Sequence, residues 1–299
     1  MRVEVLTLAT PDRLHRVLAQ HAALAAAPPA RHRVAVLSPS PSDLATQRLP
    51  SSMTPLHVPA RGRLPLARAR NALAEAGSRE GADLLVFLDA DCLPAPGFLP
   101  ALEAAAVREP DALLTGPVTY LTQAQTDPRL ALGQRAASTP GPDPIDAMTA
   151  IRRPHPARPD PPAGTLQAVR AAEAAEADYA LFWSLAFALR PRTFARIGGF
   201  CEDYCGYGGE DTDFALCARR AGADLVWAGG AAAVHLYHPV SRPPVEHLED
   251  IVANARLFFR RWGHWPMRGW LEAFAAAGLV DYDPRAAGPE AGLRLRRSR

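Results

Sequence analysis

Asp83 to Pro94 reads DLLVFLDADCLP. From Asp83 to Leu88 the run is apolar, short and free of polar alternation, which predicts a strand buried on both faces of a sheet. It ends on Asp89-Ala90-Asp91, which sets two carboxylates at the carboxyl end of a strand, where open α/β sheets bind their ligands. An irregular turn there can aim Asp89 and Asp91 at one pocket and hold a hard cation, Mn²⁺ or Mg²⁺, together with substrate phosphates. Such an ion takes up negative charge that develops on a leaving diphosphate. Alone the pattern is weak, because aspartates after a strand are turn formers first.

Upstream, Leu64 to Glu80 reads as a helix with Pro65 at its start and Gly81 beyond its end. It carries Arg68, Arg70 and Asn71, fork-like donors suited to the phosphate, ribose or base of a nucleotide. Arg68 taken alone reads as well as part of a solvated face. Val3–Leu8 and Arg33–Leu37 are apolar runs on either side of an alanine-rich helical stretch, Asp12 to Ala26, which opens a parallel sheet. Thr10, where the first strand ends, joins the donor-side candidates.

Downstream, a helix from Gly97 to Arg108 precedes a strand near Leu113–Thr119. Asp127 to Gly164 is rich in proline and lacks a period, which predicts a long ordered loop or a lid. Leu166–Ala177 reads as a helix, Phe182–Leu189 as a strand and Arg192–Ile197 as a short helix. Short strands follow near Asp224–Trp227 and Ala232–Leu236, and apolar residues from Val245 to Phe259 recur at helical steps. The pattern predicts an α/β fold with a mostly parallel central sheet flanked by helices. Its expected parts are a nucleotide-binding half over residues 1–120, a variable loop over 121–165, a catalytic half over 166–243 and a helical extension with a basic tail over 244–299.

The densest chemistry lies in GGFCEDYCGYGGEDTDFALCARRAG, residues 198–222. Gly208 and Gly209 allow a tight turn and close approach of a ligand, with Tyr207 before them and Glu210, Asp211 and Asp213 in the first turn of the helix that follows. Acidic residues there are ordinary helix caps. Glu202 and Asp203 crowd the same segment, however, and gathering five carboxylates is costly unless they bind hydroxyls, protons or metal. Glu210 and Asp211 are therefore the candidates for a general base that accepts the proton of an attacking hydroxyl. The run Val234-His235-Leu236-Tyr237-His238-Pro239 offers two imidazoles, His235 ahead of His238, to complete coordination begun by Asp91.

With 48% hydrophobic and 21% charged residues, the 299-residue chain can bury a large core. Its formal charge is +2, and its basic residues, all arginine, are dispersed except for Arg294, Arg296, Arg297 and Arg299, which argues against a nucleic-acid partner. That tail reads as a solvated end, with weak membrane-surface contact as the lesser reading. Cys92, Cys201, Cys205 and Cys217 form no C-x-x-C pair and are too sparse for a disulfide scaffold, which fits reduced thiols in the cytoplasm. No run approaches the ~18 apolar residues of a membrane span.

Taken in order, LARARNALAEA, DLLVFLDADCLP, the G-G-E-D segment and AVHLYHP resemble the GT-A glycosyltransferases, family 2-like, with a C-terminal half similar to galactosyltransferases. The resemblance implies a Rossmann-like half that binds a nucleotide-sugar donor, with Asp91 on a divalent cation and Asp89 nearer the ribose or the metal's waters. It also implies a late histidine ligand, for which His235 is the choice, and acceptor recognition and catalysis at Glu210 and Asp211. Transfer inverts the anomeric carbon in one in-line displacement, and Tyr207 stands where relatives often carry tryptophan lining the sugar and acceptor pockets. The expected acceptor is a glycan, a lipid-linked acceptor or a small molecule. Many relatives end the second strand on an acidic residue that reads the base. Here Leu37-Ser38-Pro39-Ser40 stands instead, with Asp43 as a substitute, and UDP is favoured as the family's common donor.

Two alternatives stay open on sequence. A metal-dependent nucleotidyltransferase or hydrolase on a similar sheet would want a glycine-rich phosphate loop, which Thr7 to Pro11 lacks. A non-catalytic nucleotide- or sugar-binding relative would be expected to lose the base or the ligands.

Overall fold

The computed structural model describes residues 1–45, 49–135 and 151–296. The chain opens with β1 (Val3–Ala9), a 3-10 turn over Pro11–Arg13, α1 (Leu14–Ala23) and β2 (Arg31–Ser38). It continues through α2 (Ser42–Ala45), β3 (Met53–Pro59), α3 (Leu66–Arg79) and β4 (Leu84–Leu88). The expected strand-helix-strand opening is present, and β1 lies between β2 and β4 in parallel register, with Val5 opposite both His32 and Val86. Helix α3 starts after Pro65 and closes before Gly81, whose φ of 80° suits glycine. Strand β3, parallel to β2, was not foreseen, because Pro55 and Pro59 mask it, and an edge position tolerates them.

After Asp91 come β5 (Cys92–Pro94), α4 (Phe98–Arg108), β6 (Leu113–Thr115), β7 (Val118–Tyr120) and α5 (Gln123–Arg135). The single strand expected near Leu113–Thr119 is split at Gly116, where a β-carbon would stand 1.7 Å from the Ala231 carbonyl oxygen, so the chain crosses from one sheet to another there. The start of the expected proline-rich loop is helical in α5, with Pro128 inside it. Residues 136–150 of that loop lie outside the described residues.

The second half comprises β8 (Leu166–Val169), α6 (Glu176–Tyr179), β9 (Ala186–Leu189), α7 (Pro191–Ile197), α8 (Glu210–Arg220), β10 (Leu225–Ala228) and β11 (Ala233–His235). The helix expected over Leu166–Ala177 is instead an edge strand, paired antiparallel with β10, followed by a turn. Asp224 holds that turn by accepting from the Ala171 amide at 2.7 Å and from Arg170 Nη1 at 2.7 Å. Tertiary pairing overrides the helix propensity of the alanines.

Eight strands form the central sheet in the order β3-β2-β1-β4-β9-β6-β10-β8, and β5-β11-β7 make a smaller sheet beside it. Side chains alternate across the main sheet. Val5, Leu84 and Val86 pack toward Phe98 and Leu102 of α4, while Leu6, Leu85 and Phe87 pack toward Leu73 of α3 and Phe214 of α8. The second layer is rich in aromatic contacts: Phe87 stacks on Phe187 at 4.5 Å and Phe200 on Phe214 at 4.1 Å.

The C-terminal segment has its own core. Ile251 and Ala255 of α9 (Leu248–Trp262) meet Leu271 and Phe274 of α10 (Arg268–Ala276), closed by β12 (Val280–Tyr282), α11 (Pro289–Gly292) and β13 (Leu293–Leu295). In the tail expected to be solvated, Arg294 lies in β13, paired antiparallel with β12, and Arg296 bonds Asp281 at 2.6 Å, and both arginine side chains are exposed. Residues 297–299 lie outside the described residues. Among the described residues, no helix is long and apolar enough to cross a membrane.

Candidate active site

The site is built where β4 ends. The Asp89 amide donates to the Leu185 carbonyl at 2.9 Å and the Cys92 amide to the Asp89 carbonyl at 2.8 Å, which forms the turn. Buried Gln20 of α1 clamps it from behind, its Nε2 donating to the carbonyls of Asp89 at 2.8 Å and Cys92 at 2.7 Å. The Gln20 carbonyl accepts in turn from Thr7 Oγ1 at 2.6 Å.

Strand β5 then pairs antiparallel with β11, placing His235 opposite Cys92, and the Leu236 amide donates to the Asp91 carbonyl at 2.7 Å. This pairing brings together the expected ligands Asp91, His235 and His238, whose donor atoms all lie within 4.8 Å of one another. Burial pushes the His235 imidazole down to about 4, so it is neutral at pH 7, the form that ligates a metal. One carboxylate and two imidazoles fit a divalent transition metal and match Mn²⁺ better than Mg²⁺, which prefers oxygen. Asp89, also expected at the metal, lies outside this triad.

Asp89 instead faces buried Arg70, whose Nη2 is 3.4 Å from it and whose Nη1 is 3.2 Å from Glu210. Arg70 also lies over the Phe200 ring at 5.2 Å. One guanidinium thus joins α3, the β4 turn and the start of α8. Burial pushes the Asp89 carboxyl up to about 6, with Asp91 adding to the rise and Arg70 opposing it. Asp211, beside Glu210, is pushed up to about 7, first by burial and then by the Glu210 charge. It accepts from the Thr212 amide at 2.7 Å, in the first turn of a helix entered through Gly208 and Gly209 at φ 98° and 91°.

Two other acidic residues of that segment, Asp213 and Glu202, have structural work. Asp213 is 1% exposed and accepts from Arg261 Nε at 2.6 Å, Trp262 Nε1 at 2.7 Å and the Tyr204 hydroxyl at 3.3 Å. Glu202 accepts from Asn71 at 2.9 Å.

The expected donor residues divide. Arg70 is paired inside the site. Asn71 spends its amide on the backbone of Phe200, donating at 2.9 Å and accepting at 2.9 Å, so it clamps that loop. Arg68 is exposed on the outer face of α3, away from the paired Arg70. Thr10 is half-buried at the end of β1, where its carbonyl accepts from the Arg13 amide at 3.0 Å. Asp43 accepts from the Ser40 amide at 3.2 Å.

Tyr207 stacks on His247 at 4.6 Å and on Trp270 at 5.8 Å. It lines a cleft of about 580 Å³ that Arg13, His238 and Glu246 also border. The acceptor-side candidate and a metal-ligand candidate therefore share one cleft.

The sequence reading missed Arg13 and Arg16. Arg13 Nη1 is in contact with Asp91 Oδ2, and Arg16 Nη1 lies 2.8 Å from Asp91 Oδ1. Arg16 also donates to the Tyr237 carbonyl at 3.2 Å. A signal was present: Arg13, Arg16 and Gln20 recur at three- and four-residue steps, a polar stripe directly after the first strand.

Residues 167–243, about a quarter of the chain, match the family described as the N-terminal domain of galactosyltransferase. The match contains Tyr207, Glu210, Asp211, His235 and His238. None of the curated proteins matches the chain. Among solved structures, TarS of S. aureus superposes with a TM-score of 0.54 at 12% identity over 90% of this chain. The aligned part is 41% of TarS, so this chain spans less than half the length of that protein. The 1–349 portion of TarS in complex with UDP-GlcNAc gives 0.53 at 11% identity over 92% of this chain and 73% of that one. The chain has the GT-A glycosyltransferase fold, an α/β architecture with a large, mostly parallel sheet.

Proposed function

We propose that the protein is a metal-dependent glycosyltransferase that moves a sugar from a nucleotide diphosphate donor, UDP-sugar by preference, to a hydroxyl acceptor with inversion. One juxtaposition carries this reading. A carboxylate-imidazole triad at the end of β4 stands across Arg70 from a carboxyl group whose affinity for protons sits near neutrality. The UDP and UDP-GlcNAc complexes of TarS support the donor class.

Asp91, His235 and His238 would hold Mn²⁺, which when bound supplies positive charge for the leaving diphosphate. Asp211 accepts the proton of the acceptor hydroxyl, a task suited to a group that titrates near the working pH. Arg70 fixes Asp89 and Glu210; burial raises the Asp211 carboxyl, the Glu210 charge adds to the rise, and Arg70 opposes it. Tyr207, Gly208 and Gly209 form the acceptor wall. Residues 1–120 serve the donor and 166–243 the acceptor and the proton, with 244–299 as a helical buttress behind Tyr207. The free cysteines fit a cytoplasmic setting.

The test separates the two roles. Asp91→Ala is expected to weaken Mn²⁺-dependent UDP binding by at least 10–100-fold. Asp211→Asn is expected to keep that binding and lose about 10²–10⁴-fold in turnover, read as UDP release from UDP-sugars. Unchanged UDP affinity in Asp91→Ala, with Mn²⁺ present, would refute the assignment.

A further inference from the structure

Both oxygens of the Asp91 carboxylate are taken, Oδ2 by Arg13 and Oδ1 by Arg16 at 2.8 Å. A cation that coordinates Asp91 has to share a carboxylate oxygen with a guanidinium or displace it, and sharing brings two positive charges together on one oxygen. Asp89 and Glu210 are already held by Arg70, and Glu246 on the same cleft accepts from the Ser241 amide at 3.3 Å. Arg13 is 42% exposed and borders the 580 Å³ cleft together with His238. Arg13, Arg16 and Asp91 carry a net charge of +1, and a divalent ion raises this to +3 within a few ångströms, a self-repelling arrangement unless an anion arrives with it.

Resting on the metal reading above, we propose that Arg13 and Arg16 are exchangeable partners of Asp91. They hold its carboxylate when no cation does, and they turn to the donor's diphosphate when a cation takes it. Metal and nucleotide then bind cooperatively, since each removes the cost the other would meet alone. Arginine suits the exchange, because its planar fork pairs equally well with carboxylate and phosphate. The coupling expected is on the order of 5–150-fold in affinity. Neither residue belongs to a recognisable phosphate loop, so the diphosphate contact comes from a helix face freed by the metal.

The experiment measures, by calorimetry, binding of Mn²⁺ alone, of UDP with Mn²⁺ and of UMP with Mn²⁺, to wild type, Arg13→Gln, Arg16→Gln and Asp91→Asn. Melting temperatures confirm that each variant is folded. In the arginine variants Mn²⁺ alone is expected to bind more tightly and Mn²⁺-UDP more weakly, so that the cooperativity shrinks. UMP, with one phosphate, is expected to lose less than UDP. Arginine variants that leave Mn²⁺ affinity unchanged or lowered overturn the exchange, even if Asp91→Asn abolishes metal binding. Equal losses for UMP and UDP overturn the diphosphate contact. Mn²⁺ binding that survives Asp91→Asn overturns the metal reading itself, and the exchange falls with it.

Discussion

Asp211 and Asp213 lie two residues apart in the first turn of α8, yet the structure gives them opposite fates. Replacing Asp213 with alanine removes the acceptor for Trp262 Nε1 at 2.7 Å and the Tyr204 hydroxyl at 3.3 Å, and strips Arg261 of its partner at 2.6 Å. Hydrogen bonds to a charged group contribute about 1.5–3 kcal/mol each. Tyr204 is 2% exposed, so its hydroxyl has no ready recourse to water, whereas the Arg261 side chain is 36% exposed and regains most of its solvation. Counting the tryptophan and tyrosine bonds and discounting the arginine gives a loss of about 3–6 kcal/mol. For a domain of this size that is a fall in Tm of roughly 6–15 °C. Thermal unfolding followed by tryptophan fluorescence and by circular dichroism would measure it, alongside UDP binding in Mn²⁺ at a temperature where the variant is folded. The expected result is a large drop in Tm with donor affinity retained. A Tm within about 2 °C of wild type would refute the reasoning, because it would mean that a carboxylate this buried holds nothing together.

The remaining predictions concern pH and the turn at the end of β4. Asp211 is pushed up to about 7, so turnover is expected to rise with pH through that value as the carboxylate forms, and Asp211→Asn to flatten the profile; a wild-type profile level from pH 5 to 8 would remove Asp211 as base. The same shift carries a stability cost of known sign. Asp89 and Asp211 have folded values above the ordinary carboxyl value, so their contribution is full below about pH 4 and is lost as pH rises through about 6 to 7. Melts of wild type against Asp211→Asn between pH 5 and 8 should show part of that decline missing in the variant, and identical slopes would contradict it. Gln20→Leu, which deletes the donors to the Asp89 and Cys92 carbonyls, is expected to weaken Mn²⁺ binding about 10–100-fold without touching a ligand. Unaltered Mn²⁺ affinity would show that the turn holds its shape unaided.

The parts of the fold legible in the sequence were those where local pattern and tertiary role agree. The strands Val3–Ala9 and Leu84–Leu88 are buried on both faces, so their largely apolar character, with Glu4 and Thr7 as the polar exceptions, identified the strands and hence the position of Asp91. The paired glycines before Glu210 located the start of α8, since the backbone there is left-handed. What escaped was decided by partners distant in the chain. The Leu166–Ala177 stretch reads as helix by composition and becomes an edge strand because β10 is there to pair with it. Arg68 and Arg70 are alike in sequence, yet two residues along a helix is more than half a turn, so one faces solvent and the other two carboxylates. Asp213 looks like one more cap until α9 delivers Arg261 and Trp262 to it. Arg13 and Arg16 could be named as a stripe but not as partners of Asp91, because the contact spans most of the first half of the chain.

The small β5-β11-β7 sheet has a consequence for the order in which the protein matures. Its middle strand, β11, is the last of the three to be synthesised, yet it supplies His235 opposite a residue of β5. During synthesis the strands β1, β2 and β4 can associate long before that strand emerges. On the proposed metal reading, cation affinity is a property of the finished topology, expected to be lost from any N-terminal fragment that ends before residue 233, however well that fragment folds. Acquisition of Mn²⁺ during refolding would therefore time the closure of the small sheet, a late, long-range step, separately from the collapse of the large one.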